Sequence, residues 1–262
     1  MTNRIVVKVG TSTLCHTGGG PNFRSIDLLA RALADLKNSA YEVALVTSGA
    51  IGTGVSKLRL GARPTDMREK QAVAAVGQLE LMHIYDKVFG EYGATVGQIL
   101  LTREDIDDPA ASANLLGTFG ALFRFGVIPI VNENDSVAFV EIASQPRVFG
   151  ENDILSAAVA RLIGARLLVI LTDFDGLYDA DPRANPGARL IPEVTEITPE
   201  IERLAGGAGS SLGTGGMATK IQAVKLATSS GCDVVITSGA DLQNIGRAVR
   251  GEGAGTLFRA AR

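Results

Sequence analysis

The chain has 262 residues, of which 46% are hydrophobic and 20% charged, with a formal net charge of −3 at pH 7. That length suits one large domain or two closely joined lobes with a substantial core, and the balance of charge lacks the clustered basic excess of a nucleic-acid surface. No apolar run approaches the roughly 20 residues that span a bilayer, and the N-terminal apolar stretch is too short for a signal peptide, so a cytoplasmic protein with no nucleic-acid or membrane partner is expected.

The first element is IVVKVG (5–10), a strand composition of β-branched aliphatics interrupted by Lys8. A lysine is almost never fully buried without a partner. It is either a snorkelling edge residue or paired with a buried carboxylate, or it is an ammonium at the carboxyl end of a strand, facing the glycine turn GTSTL (10–14). Helical patterns follow near 24–38, 67–90 and 111–125, between strands near 4–9, 42–47, 94–101 and 127–131. The second strand runs into SGAIGTG (48–54), a glycine turn in which Ser48 is a cap or a ligand, and the fourth into VNENDSV (131–137), whose Asn, Asp and Ser also suit an ordinary turn. VAFVEIASQPRVF (137–149) reads as a hairpin beside the main sheet. Asn152 and Asp153 then open a helix over 153–163 whose apolar stripe has helical spacing, a position where both residues are favoured as caps. LLVIL (167–171), within a strand near 166–172, ends on Thr172 and Asp173. The glycine-rich run GGAGSSLGTGGM (206–217) leads into a helix over 217–229 that carries Lys220; a strand near 232–237, a helix near 241–249 and a strand near 255–258 complete the chain.

Strand and helix alternate, and strands such as VIPIV (127–131) are continuously apolar. Together these predict an α/β fold with a mainly parallel sheet covered on both faces. In such sheets ligands bind beyond the carboxyl ends of the strands, and glycine turns that open helices offer N–H groups to phosphate. Three glycine turns, two with a nearby lysine, point to a phosphate-bearing ligand. The usual phosphate motifs are absent: no glycine precedes Lys-Ser or Lys-Thr as in a Walker A loop, and no G-x-G-x-x-G joins the first strand to its helix. GSSLG (209–213) has the spacing of a nucleophile elbow, but no histidine follows His83, so the match is fortuitous. Cys15 and Cys232 read as reduced thiols and, with His16 and His83, make no zinc spacing.

In order, VVKVGTSTL, VTSGAIGTG, VNENDSV, FGENDILSA, ILTDFDGLYDADPR and GTGGMATK resemble the motifs of the glutamate 5-kinases, members of the amino acid kinase family. The resemblance covers nearly the whole chain. It implies a three-layer α/β/α sandwich with an open, mainly parallel sheet, the carbamate kinase-like fold. Residues 1–262 would form one kinase domain, with an amino-acid-binding lobe over 1–163 and a nucleotide-binding lobe over 164–262. By resemblance Lys8 and Lys220 meet the phosphates and the transferring group, and Asp153 holds both ammoniums. Ser48, Asp135 and Asn152 match the glutamate-binding positions, with Asn132 nearby. Lys8, Gly10, Thr172, Asp173 and the run Gly213, Thr214, Gly215, Gly216, Met217, Ala218, Thr219 and Lys220 match the nucleotide-binding ones. The hairpin at 137–149 resembles a flap near the amino acid.

The implied activity is transfer of the γ-phosphoryl of ATP, with Mg²⁺, to the side chain of L-glutamate, the first step of proline biosynthesis. The expected context is a homo-oligomer, a dimer or tetramer, that hands its product to a reductase. A kinase of the same fold acting on acetylglutamate, aspartate, carbamate or a nucleoside monophosphate, or a non-catalytic sensor, is the alternative. The sequence ends at Arg262 and is expected to be a short form without the C-terminal PUA domain that members often carry. Glu151 stands where the resemblance leads one to expect Asp, and Phe174 and Asp175 vary within TDFDGLY.

Overall fold

The computed structural model describes residues 3–16, 20–138, 152–182, 184–206 and 216–261. In chain order the elements are β1 (Arg4–Lys8), α1 (Thr11–Leu14), α2 (Phe23–Asn38), β2 (Glu42–Val46), α3 (Ala50–Lys57), α4 (Met67–Glu91), β3 (Thr95–Leu101), α5 (Arg103–Asp107), α6 (Pro109–Arg124) and β4 (Val127–Glu133). They continue with α7 (Asn152–Ile163), β5 (Leu167–Thr172), β6 (Glu193–Val194), α8 (Pro199–Leu204), α9 (Gly216–Thr228), β7 (Asp233–Ser238), α10 (Asn244–Arg250) and β8 (Thr256–Phe258). Contacts divide the chain into two compact units, Val9–Asn152 and Met1–Lys8 with Asp153–Arg262.

The Val9–Asn152 unit is built on the strand order β3-β4-β2, with both pairs parallel: Leu45 lies opposite Ile130, and Val96 opposite Ile128. Helix starts follow capping chemistry. The Asn22 side chain accepts from Ser25 N–H at 3.2 Å to open α2, and Asp66 accepts from Glu69 N–H at 3.1 Å to open α4. Asp108 accepts from Ala111 N–H at 2.7 Å. With Pro109 at the first helical position, where its missing N–H costs nothing, this starts α6 two residues before the expected 111. α2 buries Ile26, Leu29, Ala30 and Leu33, a 3.6-residue stripe.

The glycine turn at 48–54 is largely helix, which is a departure from its reading as a loop. Gly49 takes φ 100°, the left-handed region, and turns the chain into α3. Beyond it α3 lies directly on α4. A Cβ on Gly54 would stand 2.0 Å from Val73 O, and one on Gly77 would stand 1.8 Å from Ala50 O. These glycines serve close helix packing, so their composition resembles a loop while their role is that of a crossing.

The other unit carries the strand order β1-β5-β7-β8-β6. β1, β5 and β7 are mutually parallel, with Lys8 opposite Ile170 and Thr172 opposite Ser238. β8 runs antiparallel to β7, and β6 parallel to β8. Every residue of β5 is buried, as expected for a central parallel strand. α7 buries Leu155, Ala158, Val159 and Ile163. The strands and helices expected along the chain recur within a few residues; the short α1, α3, α5, α8 and β6 were not anticipated. The hairpin expected at 137–149 lies, beyond Ala138, outside the described residues. Among the described residues no helix is long and apolar enough to cross a membrane.

Candidate active site

In the unit that holds both termini, parallel β1, β5 and β7 end on the same side of their sheet. Lys8 is the last residue of β1, Thr172 of β5 and Ser238 of β7. Asp153 stands in the first turn of α7, and Lys220 in the second turn of α9, four residues after Gly216. Lys8 Nζ lies 2.7 Å from Asp153 Oδ1, and Lys220 Nζ lies 3.0 Å from Asp153 Oδ2. Lys220 Nζ also donates to Gly216 O at 3.0 Å, within its own helix. The three side chains are buried: 9% of Lys8, 1% of Asp153 and 11% of Lys220 is exposed. Asp153 Oδ1 has no aligned hydrogen bond among the described residues, and the charge of Lys8 lies 2.7 Å from it.

This triad carries two positive charges and one negative. Burial disfavours an uncompensated ion strongly, so an excess ammonium at a strand end is matched chemically by an incoming anion. Thr172 Oγ1 donates to Asp173 Oδ1 at 3.0 Å at the end of β5, and Gly239 N–H donates to Thr172 O at 2.7 Å. Gly216, Met217, Ala218 and Thr219 form the first turn of α9, half-buried, with Thr219 Oγ1 donating to Gly216 O at 3.1 Å. Gly213, Thr214 and Gly215 lie outside the described residues.

The second cluster lies in the Val9–Asn152 unit. Asn152 Nδ2 donates to Thr47 O at 2.5 Å, to Ser48 Oγ at 2.9 Å and to Asn132 Oδ1 at 2.9 Å. Asn132 Nδ2 donates in turn to Gln78 Oε1 at 2.8 Å. Below Ser48, Thr47 Oγ1 and Tyr85 Oη share a 2.7 Å hydrogen bond in a fully buried setting. Asp135 follows on the turn after β4, half-buried. Burial pushes its carboxyl up from the usual range, and the charge of Arg63 opposes that. Gly10 also belongs to this unit; it caps α1, its carbonyl accepting from the N–H groups of Thr13 and Leu14. Of the residues expected to meet glutamate, Ser48, Asn132 and Asn152 are in direct contact. The motifs did not reveal Thr47, Gln78 or Tyr85. The one trace of them is polar residues seven apart, Gln71 and Gln78, on a helix face otherwise buried with Val73, Ala74, Gly77 and Leu81.

Among the described residues no three His, Cys, Asp or Glu side chains gather as a metal-binding group. Cys15 and Cys232 are both free thiols, and burial pushes Cys232 up to about 12.

The sequence profile of the amino acid kinase family matches residues 3–238. A protein of Clostridium perfringens named glutamate 5-kinase is 52% identical over 255 residues, covering 97% of this chain and 94% of its own length. Another of that name from Clostridium acetobutylicum is 53% identical over 256 residues, covering 98% and 94%. Among solved structures, carbamate kinase from Giardia lamblia bound to AMP-PNP superposes with a TM-score of 0.71 at 16% identity, covering 99% of both chains.

Proposed function

The chain belongs to the amino acid kinase family, and on that premise we propose that its two clusters divide one reaction between them. The reaction is transfer of the γ-phosphoryl of ATP to the side-chain carboxylate of L-glutamate, giving glutamyl 5-phosphate. Support for the reaction comes from relatives at about half identity over nearly the full chain. The single observation that carries the assignment of the phosphate site is the buried triad Lys8–Asp153–Lys220 with its excess positive charge.

A glutamate side chain has a pKa of about 4.3 and is already a nucleophile at neutral pH. Its oxygen forms a bond to Pγ as the bond from Pγ to the β–γ bridging oxygen breaks, and that electron pair leaves with ADP. No proton need be removed, so no general base is required. The barrier is the approach of an anion to a polyanion, and catalysis is positioning and neutralisation. Lys8 and Lys220 supply fixed positive charge for the phosphoryl oxygens. Asp153, between the two ammoniums, aims both and offsets the repulsion of like charges. The start of α9 offers the positive end of its helix dipole to the same phosphates, while Thr172 and Asp173 flank the nucleotide. The substrate is the Mg²⁺ complex of ATP. Mg²⁺ keeps several waters and leans on phosphate oxygens, which fits a site with two lysines and no carboxylate cage among the described residues.

In the other cluster Asp135 faces the substrate's α-ammonium, and Ser48, Asn132 and Asn152 hold its α-carboxylate. An amine-binding carboxylate would have no counterpart on an acetylated substrate, which favours free glutamate. The experiment is incubation with ATP, Mg²⁺ and hydroxylamine across glutamate, acetylglutamate, aspartate and carbamate. A hydroxamate with glutamate alone is expected; preference for acetylglutamate, or no product with any acid, would overturn the proposal.

A further inference from the structure

The amides around Asn132 form a relay whose polarity is dictated from one end. The Thr47 carbonyl can only accept, so the Asn152 group facing it at 2.5 Å must be the NH₂. The same NH₂ meets Asn132, which must therefore present its oxygen, at 2.9 Å. The Asn132 NH₂ is then turned the other way, and Gln78 must meet it with an oxygen, at 2.8 Å. That leaves the Gln78 NH₂ as the end of the relay, buried and with no hydrogen-bond partner among the described residues. Gln78 comes from α4, which supplies two further polar contacts at seven-residue spacing on the same face. Gln71 Nε2 donates to Ala138 O at 3.0 Å, beyond the Asp135 turn, and Tyr85 Oη meets Thr47 Oγ1 at 2.7 Å, beside Ser48. Residues seven apart recur on one helix face, so a single rigid element touches three separate stretches of the acid-binding cluster. The glycine crossing at Gly54 and Gly77 fixes that helix against α3, which follows Ser48.

We infer that Gln78 is a positioning residue for the amino acid substrate: its carbonyl oxygen, on a side chain carried by α4, accepts from the Asn132 NH₂ and so holds Asn132 in the orientation that Thr47 and Asn152 dictate. An asparagine amide that rotates by half a turn swaps donor for acceptor at nearly the same position, so a site that discriminates by such groups needs its amides locked. The Gln78 carbonyl lock does this for Asn132. The role rests on the assignment of glutamate to this cluster, and the test separates the two.

The test uses Gln78→Met, which keeps the length and helix preference but removes the acceptor. Steady-state constants for glutamate and for ATP are measured on it, with Asn152→Ala alongside and folding checked by thermal unfolding. Loss of one hydrogen bond in the acid site corresponds to roughly a five- to tenfold rise in glutamate KM. Gln78→Met should show that rise with ATP KM and kcat nearly unchanged. An unchanged glutamate KM in a folded Gln78→Met protein, or an ATP KM raised as much as the glutamate KM, overturns the role. If Asn152→Ala raises the glutamate KM while Gln78→Met does not, only the role of Gln78 falls. If neither does, the placement of glutamate in this cluster falls with it.

Discussion

Replacing Asp153 by Asn removes one negative charge from the centre of the triad and nothing else of comparable size. At 2.7 and 3.0 Å, each Lys–Asp attraction is worth about 6 kcal/mol before desolvation at an effective dielectric near 20. Most of that is offset by the cost of burying the ions, and breaking a buried pair by removing one partner costs about 3–5 kcal/mol net. The asparagine can still accept a hydrogen bond from one lysine, which places the expected destabilisation towards the low end of that range. Two buried ammoniums are then left without a counter-ion. Turnover in the hydroxamate assay should fall by at least about a hundredfold, the consequence of losing roughly 3 kcal/mol of preorganised electrostatics. A second readout follows from the same charge count. Nucleotide phosphate supplies the missing negative charge, so saturating ATP should raise the melting temperature of Asp153→Asn more than that of the wild type. Wild-type turnover in a folded Asp153→Asn protein would refute the reasoning, as would a melting temperature insensitive to ATP.

Lys8→Ala and Lys220→Ala should each lower kcat about a hundredfold or more while leaving the glutamate KM within a few-fold; steady-state kinetics on purified variants decide it, and an unchanged kcat in either removes that lysine from the site. Asp135→Ala should raise the glutamate KM about tenfold or more, the loss of a charge-assisted hydrogen bond. Burial holds the Asp135 carboxyl above its ordinary range, so it takes up its proton at a higher pH than an exposed aspartate. The wild-type glutamate KM should therefore rise as pH falls from neutral towards that raised value. The variant should lack this limb; identical pH profiles would contradict the assignment. The same raised value opposes folding at pH 7, because the native state favours the protonated form over the ionised one that the unfolded chain carries. This penalty is absent below the ordinary aspartate pKa of about 3.9, grows as pH rises from there towards the raised one, and is complete above it. Gly77→Ala puts a Cβ 1.8 Å from Ala50 O and 2.4 Å from Gly54 N. It should destabilise by about 3 kcal/mol, seen as a lower midpoint in urea with little change in slope; an unchanged midpoint would mean that α3 and α4 separate freely.

The parts legible in the sequence were those with a strong local signature. β5 reads as a continuous apolar run because it is a central parallel strand, and α7 reads from its stripe. Lys8 was conspicuous because a lysine among buried valines requires a partner, and the partner is Asp153. That Asp153 is shared with Lys220 was visible only through resemblance, since Asp153 lies 67 residues from Lys220 and far from Lys8 in the sequence and no periodicity links them. The glycines of α3 were misread because composition does not separate a glycine that turns the chain from one that admits a neighbouring helix. Gln78 carried no motif at all. Its significance comes from a hydrogen bond to Asn132, 54 residues away, and polar residues at heptad spacing on a buried face were the single clue on offer.

The most direct test is a crystal structure with glutamate, Mg²⁺ and a non-hydrolysable ATP analogue. The account predicts γ-phosphoryl oxygens within roughly 3 Å of both Lys8 Nζ and Lys220 Nζ, the distance of a charge-assisted hydrogen bond, with Asp153 still bridging the two ammoniums. A terminal phosphate bound elsewhere, with both lysines engaged by Asp153 alone, would contradict it.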